Sequence, residues 1–206
     1  MDLKSFYQKL YDTGCVKFGE FTLKSGIKSP VYVDFRVTVS NPELLKEIGK
    51  VLAEKAKEIG CDRICAIPYA GLPLGVATSI EGNIPLVYSR KEAKTYGTGK
   101  LIEGKFEPTD RVIVIDDIVT DGASKIETIG PLKESGLNVT DILVIIDREQ
   151  GGTKLLADAG YRLHSVGTLS QILEYLKSEG KIEEELYIKV KDFIKENQFK
   201  EIKINK

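Results

Sequence analysis

The chain has 206 residues, enough for one substantial core, and carries 30 Lys+Arg against 31 Asp+Glu for a formal net charge of −1. That balance gives no support to non-specific attraction to nucleic acid or to a membrane surface, and no apolar run is long enough to cross a bilayer. Three cysteines, one histidine and an amphipathic, acid-bearing start exclude a secretory leader and a zinc knuckle, and fit reduced thiols in a cytoplasmic protein.

Leu3, Phe6, Tyr7 and Leu10 recur at helical spacing until Gly14. Between Cys15 and Arg36 the apolar residues partly alternate, and Gly19, Gly26 and Pro30 interrupt them. This predicts two or three short strands in a small cap. Ser40-Asn41-Pro42 is a helix start, and Leu44, Leu45, Ile48, Val51, Leu52 and Ile59 form one apolar face closed by Gly60. Short apolar strands then alternate with helices: strand 64–67, helix 71–80, strand 84–88, strand 111–115, helix 122–135, strand 142–146, helix 153–159 and strand 161–166. Helices at 168–178 and 182–196 and a lysine-rich end follow. Gly130-Pro131 predicts a bend or an early stop within 122–135, because proline removes a helical hydrogen bond.

Hydrophobic strands that alternate with helices imply an α/β protein, with a mostly parallel sheet of about five strands and helices on both faces. The expected organisation is a single domain, with an N-terminal helix and cap over residues 1–40 and the α/β core and C-terminal helices over 41–206. Residues 89–110 break the rhythm. Arg90, Lys91, Lys94, Tyr96 and Lys100 lie in a polar, basic, glycine-bearing stretch too long for an ordinary connection, and long loops in compact domains are usually functional.

The most informative stretch is Arg111 to Ser124. A β-branched run leads into Asp116-Asp117-Ile118-Val119-Thr120-Asp121-Gly122-Ala123-Ser124. It reads as a buried parallel strand that delivers two acids to the sheet edge where α/β proteins bind ligands. The loop and helix start behind the acids offer N–H groups, hydroxyls and a helix dipole, which suit a phosphate. The acids suit sugar hydroxyls or a hydrated divalent cation. Gly97-Thr98-Gly99-Lys100 lacks the remaining residues of a nucleotide-binding P-loop, and His164, inside an apolar strand, reads as a packed, hydrogen-bonded residue.

Residues 116–124 after the β-branched run resemble the phosphoribosyl pyrophosphate (PRPP) motif of the type I phosphoribosyltransferases. Within that group nearly the whole chain resembles the orotate phosphoribosyltransferases, through Leu23-Lys24-Ser25-Gly26, Ser29-Pro30-Val31-Tyr32, Pro68-Tyr69, Arg90-Lys91-Glu92-Ala93-Lys94 and Asp147-Arg148-Glu149-Gln150-Gly151-Gly152. The last of these is similar to the version fused to a decarboxylase in eukaryotic uridine monophosphate synthase. The resemblance implies a pentosyltransferase of pyrimidine biosynthesis that converts orotate and PRPP to orotidine 5′-monophosphate and pyrophosphate with Mg²⁺.

The resemblance also implies roles for residues. Lys94 would be the catalytic residue. Lys24, Tyr69, Arg90, Lys91, Lys94, Tyr96 and the run from Asp116 through Ile118, Val119, Thr120, Asp121, Gly122 and Ala123 to Ser124 would bind PRPP, with Asp116 and Asp117 reaching the metal through water. Lys24, Tyr32, Val33, Thr120 and Arg148 would bind orotate. A homodimer, in which the 90–100 loop reaches the neighbouring site, is implied, as is a possible decarboxylase partner.

Ala70 stands where bacterial members often have lysine and Tyr96 where they often have histidine, and both choices match the eukaryotic type. Asp121 adds a negative charge to the phosphate loop that the pattern does not explain. Two other readings share part of this pattern: a transferase of the same fold for a different base, and a PRPP-sensing regulator. The set Arg90, Lys91 and Lys94, together with Lys24 and Arg148, favours the orotate enzyme over both.

Overall fold

The computed structural model describes residues 2–23, 26–90 and 101–202. The chain begins with α1 (Leu3–Asp12), whose first N–H groups are capped by the Asp2 carboxylate, and whose Phe6, Tyr7 and Leu10 are buried. Strands β1 (Val16–Thr22) and β2 (Lys28–Val33) pair antiparallel as a hairpin, and a 3-10 helix (Phe35–Ser40) leads into α2 (Pro42–Ile59). The Asn41 side chain accepts from Leu44 N–H, the cap expected from the sequence.

The main sheet has six strands in the order β5-β4-β3-β6-β7-β8. These are β3 (Arg63–Ala66), β4 (Leu86–Ser89), β5 (Ile102–Glu103), β6 (Arg111–Val119), β7 (Asn138–Asp147) and β8 (Arg162–Thr168). All neighbours are parallel except β4 with β5. The sequence predicted the five parallel strands; β5 is added by two residues within the polar 89–110 stretch, too few to show any periodicity. The helices between and after the strands are α3 (Gly71–Gly82), α4 (Ala123–Glu134), α5 (Gly152–Asp158), α6 (Leu169–Ser178) and α7 (Glu184–Glu196).

Alternate residues of the central strands feed two cores, because successive side chains of a strand point to opposite faces. Ile113, Ile115, Leu143 and Ile145 join a large cluster with α1, α2, α6, α7 and the hairpin. Val112, Val114, Ile142 and Val144 join a smaller one with Ile129 and Leu132 of α4 and Leu156 of α5. On the first face α2 and α3 are in close contact. A Cβ added at Gly49 would lie 2.6 Å from the Ala77 carbonyl carbon.

Two expectations need correction. Strand β6 does not stop at residue 115 but continues to Val119, so both acids lie within it. Helix α4 runs through Pro131 to Glu134 without an early stop. Pro131 removes one N–H, yet its carbonyl still accepts from the Ser135 backbone and hydroxyl. Among the described residues no helix is long and apolar enough to cross a membrane.

Candidate active site

The functional candidates gather at the C-terminal edge of the parallel strands. Asp116 and Asp117 come from β6, Arg148 follows β7, Tyr69 follows β3 and Arg90 follows β4. Helices α3 and α4 both begin at this edge, so their N–H groups and positive dipole ends face it. The contact is close at α3, where a Cβ on Gly71 would lie 3.0 Å from the Ile115 carbonyl oxygen and 3.2 Å from Asp116 Oδ1.

The acidic pair is organised by a residue that sequence reasoning missed. Lys125, 3% exposed, donates from Nζ to Asp116 Oδ2 at 2.7 Å, to the Ile118 carbonyl and to Ser124 Oγ. A buried ammonium next to a buried carboxylate compensates a charge that would otherwise be expensive to desolvate. Asp117 remains the protonatable member: burial, reinforced by repulsion from Asp116, pushes its carboxyl up to about 7, against the opposing pull of Lys125. The signal for Lys125 was a charged residue one turn into a helix whose other inward positions are apolar or small.

The loop between β6 and α4 holds Thr120, Asp121 and Gly122, and Ala123 and Ser124 open the helix. Gly122 has a φ of +89° and no side chain to cap the helix. Asp121 supplies that cap: its Oδ1 accepts from Ala123 N–H at 3.0 Å. The charge left unexplained by the sequence is thus a local substitute for an anion at the helix start. Ile118 and Val119 contribute backbone and packing within β6, where Val119 is fully buried.

Arg148 is 9% exposed, and its Nε and Nη2 are buried without a hydrogen-bond partner among the described residues. Burial lowers its pKa, although a guanidinium stays charged. Arg148 forms no ion pair with either flanking acid among the described residues. Asp147 instead accepts from Glu149 N–H and the Thr153 hydroxyl, while Glu149 accepts from Ser170 N–H. A buried guanidinium with open donors is a demand for an anionic, hydrogen-bond-accepting group.

The remaining candidates are placed as follows. Tyr69 is 70% exposed, next to the cis Pro68–Tyr69 peptide bond. Arg90 donates to Glu103 Oε1 at 3.0 Å, and its N–H donates to the Leu101 carbonyl. With the pairs Tyr88↔Glu103 and Ser89↔Ile102, this brings Arg90 and Leu101 side by side at the strand edge. Tyr32 and Val33 stand half-buried at the end of β2, with the Tyr32 ring stacked on Phe21 at 5.4 Å and its hydroxyl accepting from Arg36 Nη2. Lys24, Lys91, Lys94 and Tyr96 lie outside the described residues.

His164 lies away from this edge. Its Nε2 is 2.8 Å from Asp141 Oδ1, and Asp141 also accepts twice from Arg162. Although burial opposes ionisation of Asp141, these donors and Thr140 hold its carboxyl down at about 2. An open hollow of about 580 Å³ between α1 and α2 is lined by Lys9, Asp12, Glu43, Lys46, Glu47 and Lys50 and contains none of the strand-end residues.

No family model matches the chain. The orotate phosphoribosyltransferase of Pyrococcus abyssi is 38% identical over 167 residues, covering 80% of this chain and 92% of that protein. The uridine 5′-monophosphate synthase of Bos taurus is 45% identical over 199 residues, covering 96% of this chain, which spans only 42% of that relative's length. The crystal structure of orotate phosphoribosyltransferase from Aeropyrum pernix superposes with a TM-score of 0.72 at 32% identity, over 84% of this chain and 99% of that one.

Proposed function

The chain belongs to the orotate phosphoribosyltransferase family, and from that premise we propose that its strand-edge site transfers the 5-phosphoribosyl group of PRPP to orotate, releasing pyrophosphate. The observation that carries the pyrimidine acid in this reading is Arg148, a buried guanidinium with unpaired donors beside the phosphate loop. Orotate has a carboxylate and a ring edge rich in acceptors, which a guanidinium fork binds well. Lys24, Tyr32, Val33 and Thr120 complete the orotate side of the proposal.

On the PRPP side, the backbone N–H groups and hydroxyls of residues 120–124 hold the 5′-phosphate at the start of α4. Asp116 and Asp117 accept from the ribose hydroxyls. As pyrophosphate leaves, positive charge builds on the ribose, and the two carboxylates below it stabilise that charge in a site with little water. Arg90, Lys91 and Lys94, with Tyr69 and Tyr96, meet the negative charge that develops on pyrophosphate, and Lys94 is the residue assigned to the leaving oxygen. Closure of the 90–100 segment would exclude water from a reactive ribosyl centre.

The donor set fits Mg²⁺ delivered with PRPP. Among the described residues no three His, Cys, Asp or Glu side chains come together as a protein cage. Mg²⁺ in phosphate chemistry usually keeps several waters and uses one or two carboxylates plus substrate oxygens. Asp116 and Asp117 would hold it through water, and when bound it would supply positive charge to the leaving group.

A homodimer is part of the proposal. Helix α3 is apolar on its outer side as well as its inner one, leaving Val76 47% and Ile80 73% exposed along the helix that follows Tyr69. A helix that is apolar all round is normally covered on both sides. We further read the chain as one catalytic domain in a cytoplasmic pyrimidine route, with an orotidylate decarboxylase as a possible partner. The uridine 5′-monophosphate synthase relatives, which extend beyond the matched part, support that last point.

The direct test is a spectrophotometric assay of orotate consumption with PRPP and Mg²⁺. Turnover is expected with orotate. Turnover with a purine or with uracil, and none with orotate, would overturn the reading.

A further inference from the structure

We infer that the segment following α7, Asn197–Phe199, positions the Arg148 loop, and that Gln198 is a positioning residue for the orotate side of the site. The inference rests on the assignment of the strand edge to orotate transfer. It concerns residues about fifty positions away from Arg148 in sequence, none of which the sequence singled out.

The loop from Arg148 to Gly152 is held on two sides. Toward the phosphate loop, Arg148 N–H donates to the Val119 carbonyl at 3.1 Å, and a Cβ on Gly152 would lie 2.6 Å from the Thr120 carbonyl oxygen. On the other side the C-terminal segment forms a row of contacts. Gln198 Nε2 donates to the Glu149 carbonyl at 2.8 Å and to the Ile194 carbonyl at 2.7 Å, tying the loop to the last turn of α7. Gln150, only 2% exposed, donates from Nε2 to the Asn197 carbonyl at 3.0 Å, and its own carbonyl accepts from Phe199 N–H at 2.9 Å.

The backbone of the loop is shaped for this contact. Gly151 has a φ of +101°, and a Cβ there would lie 2.6 Å from the Phe199 carbonyl oxygen. Glu149 also adopts a positive φ, +59°, which is uncommon for a residue with a long side chain. Its carboxylate caps the start of α6 by accepting from Ser170 N–H. Such a loop keeps its conformation only where its surroundings over-determine it, and much of that determination comes from residues 194–199.

Helix α7 also packs against β2, the strand that carries Tyr32 and Val33. One helix and its extension therefore touch both the strand that carries Tyr32 and Val33 and the Arg148 loop. The acidic pair has a support of its own in Lys125, which donates to Asp116 and to the Ile118 carbonyl, whereas the phosphate loop meets the Arg148 loop through the Val119 and Thr120 backbone. A change in the C-terminal segment therefore weighs more on orotate affinity than on PRPP affinity.

The test uses the full chain with Gln198→Glu, which keeps the length but places an acceptor against two carbonyls, and Gln198→Lys, which keeps a donor at this exposed position. Arg148→Ala is measured in parallel. The expected result for Gln198→Glu is an orotate KM raised about tenfold with PRPP KM and melting temperature little changed, and recovery toward wild type in Gln198→Lys. An unchanged orotate KM in Gln198→Glu, or equal rises in both KM values with a lower melting temperature, would overturn the inference. If Arg148→Ala raises the orotate KM and Gln198→Glu does not, the positioning role alone falls. If Gln198→Glu acts and Arg148→Ala does not, the positioning role stands and the assignment of Arg148 to orotate falls.

Discussion

At the scale of single residues, the chemistry of the site depends on how one buried lysine is shared between two adjacent carboxyls. Lys125 neutralises Asp116, and Asp117 is left with a carboxyl that burial has pushed up to about 7. In the folded protein Asp117 thus binds its proton more tightly than in the unfolded chain. Folding stability should fall as pH rises from the ordinary carboxylate range through about 7, because there the folded state holds the extra proton. Activity should move the other way. If ionised Asp117 accepts from the ribose, kcat/KM should rise across pH 6 to 8, and Asp117→Asn should flatten that rise while lowering activity at every pH. Lys125→Met should move the rising limb to higher pH, since it removes the charge that pulls Asp117 down. It should also cost about 3 kcal/mol of stability by leaving Asp116 buried and unpaired, measurable by denaturant unfolding.

At the scale of elements, the site exists because β6 is longer than its apolar run and because two helices start at its end. The alternation of strands and helices was legible in the sequence, since parallel strands buried on both faces are continuous apolar runs. The Asn41 cap was legible too. Three features were not, each for a physical reason. The acids within β6 interrupt the apolar signal although the ladder with β7 continues through Asp116↔Val144 and Ile118↔Ile146. The pair β4–β5 rests on two antiparallel residue pairs, too few to leave a pattern in the composition. The partner of Asp116 is a lysine, and a lone lysine in a helix reads as solvated until the fold buries it.

The motif residues were found as a group and their internal division of labour was not; Asp121, for one, turned out to cap the α4 start. Packing between elements leaves equally little room. Gly49 and Ala77 are so close that Gly49→Ala must separate α2 from α3. We expect a loss of about 1–3 kcal/mol, seen as a lower unfolding midpoint with an unchanged denaturant slope.

At the scale of the whole molecule, the proposed dimer and the proposed loop exchange can be tested together. Lys94→Ala and Asp117→Asn subunits, each strongly impaired alone, should recover about one quarter of wild-type activity after mixing and random re-pairing, if the 90–100 segment serves the neighbouring site. A segment that serves its own subunit would give no recovery. The two faces of the sheet are also unequally loaded. One carries α1, α2, α3, α6, α7 and the hairpin, while the other carries α4 and α5 over a smaller cluster. The loop proposed to hold the phosphate is anchored to the thin side, where Gly122 lies against Leu156 of α5. Free energies of local opening follow buried apolar contact, so amide exchange in α4 and α5 should proceed through sub-global openings that leave α2 protected. Loading the phosphate loop with a ribose 5-phosphate should slow that exchange selectively, which would make the thin face a reporter of occupancy in a molecule whose thick face stays silent.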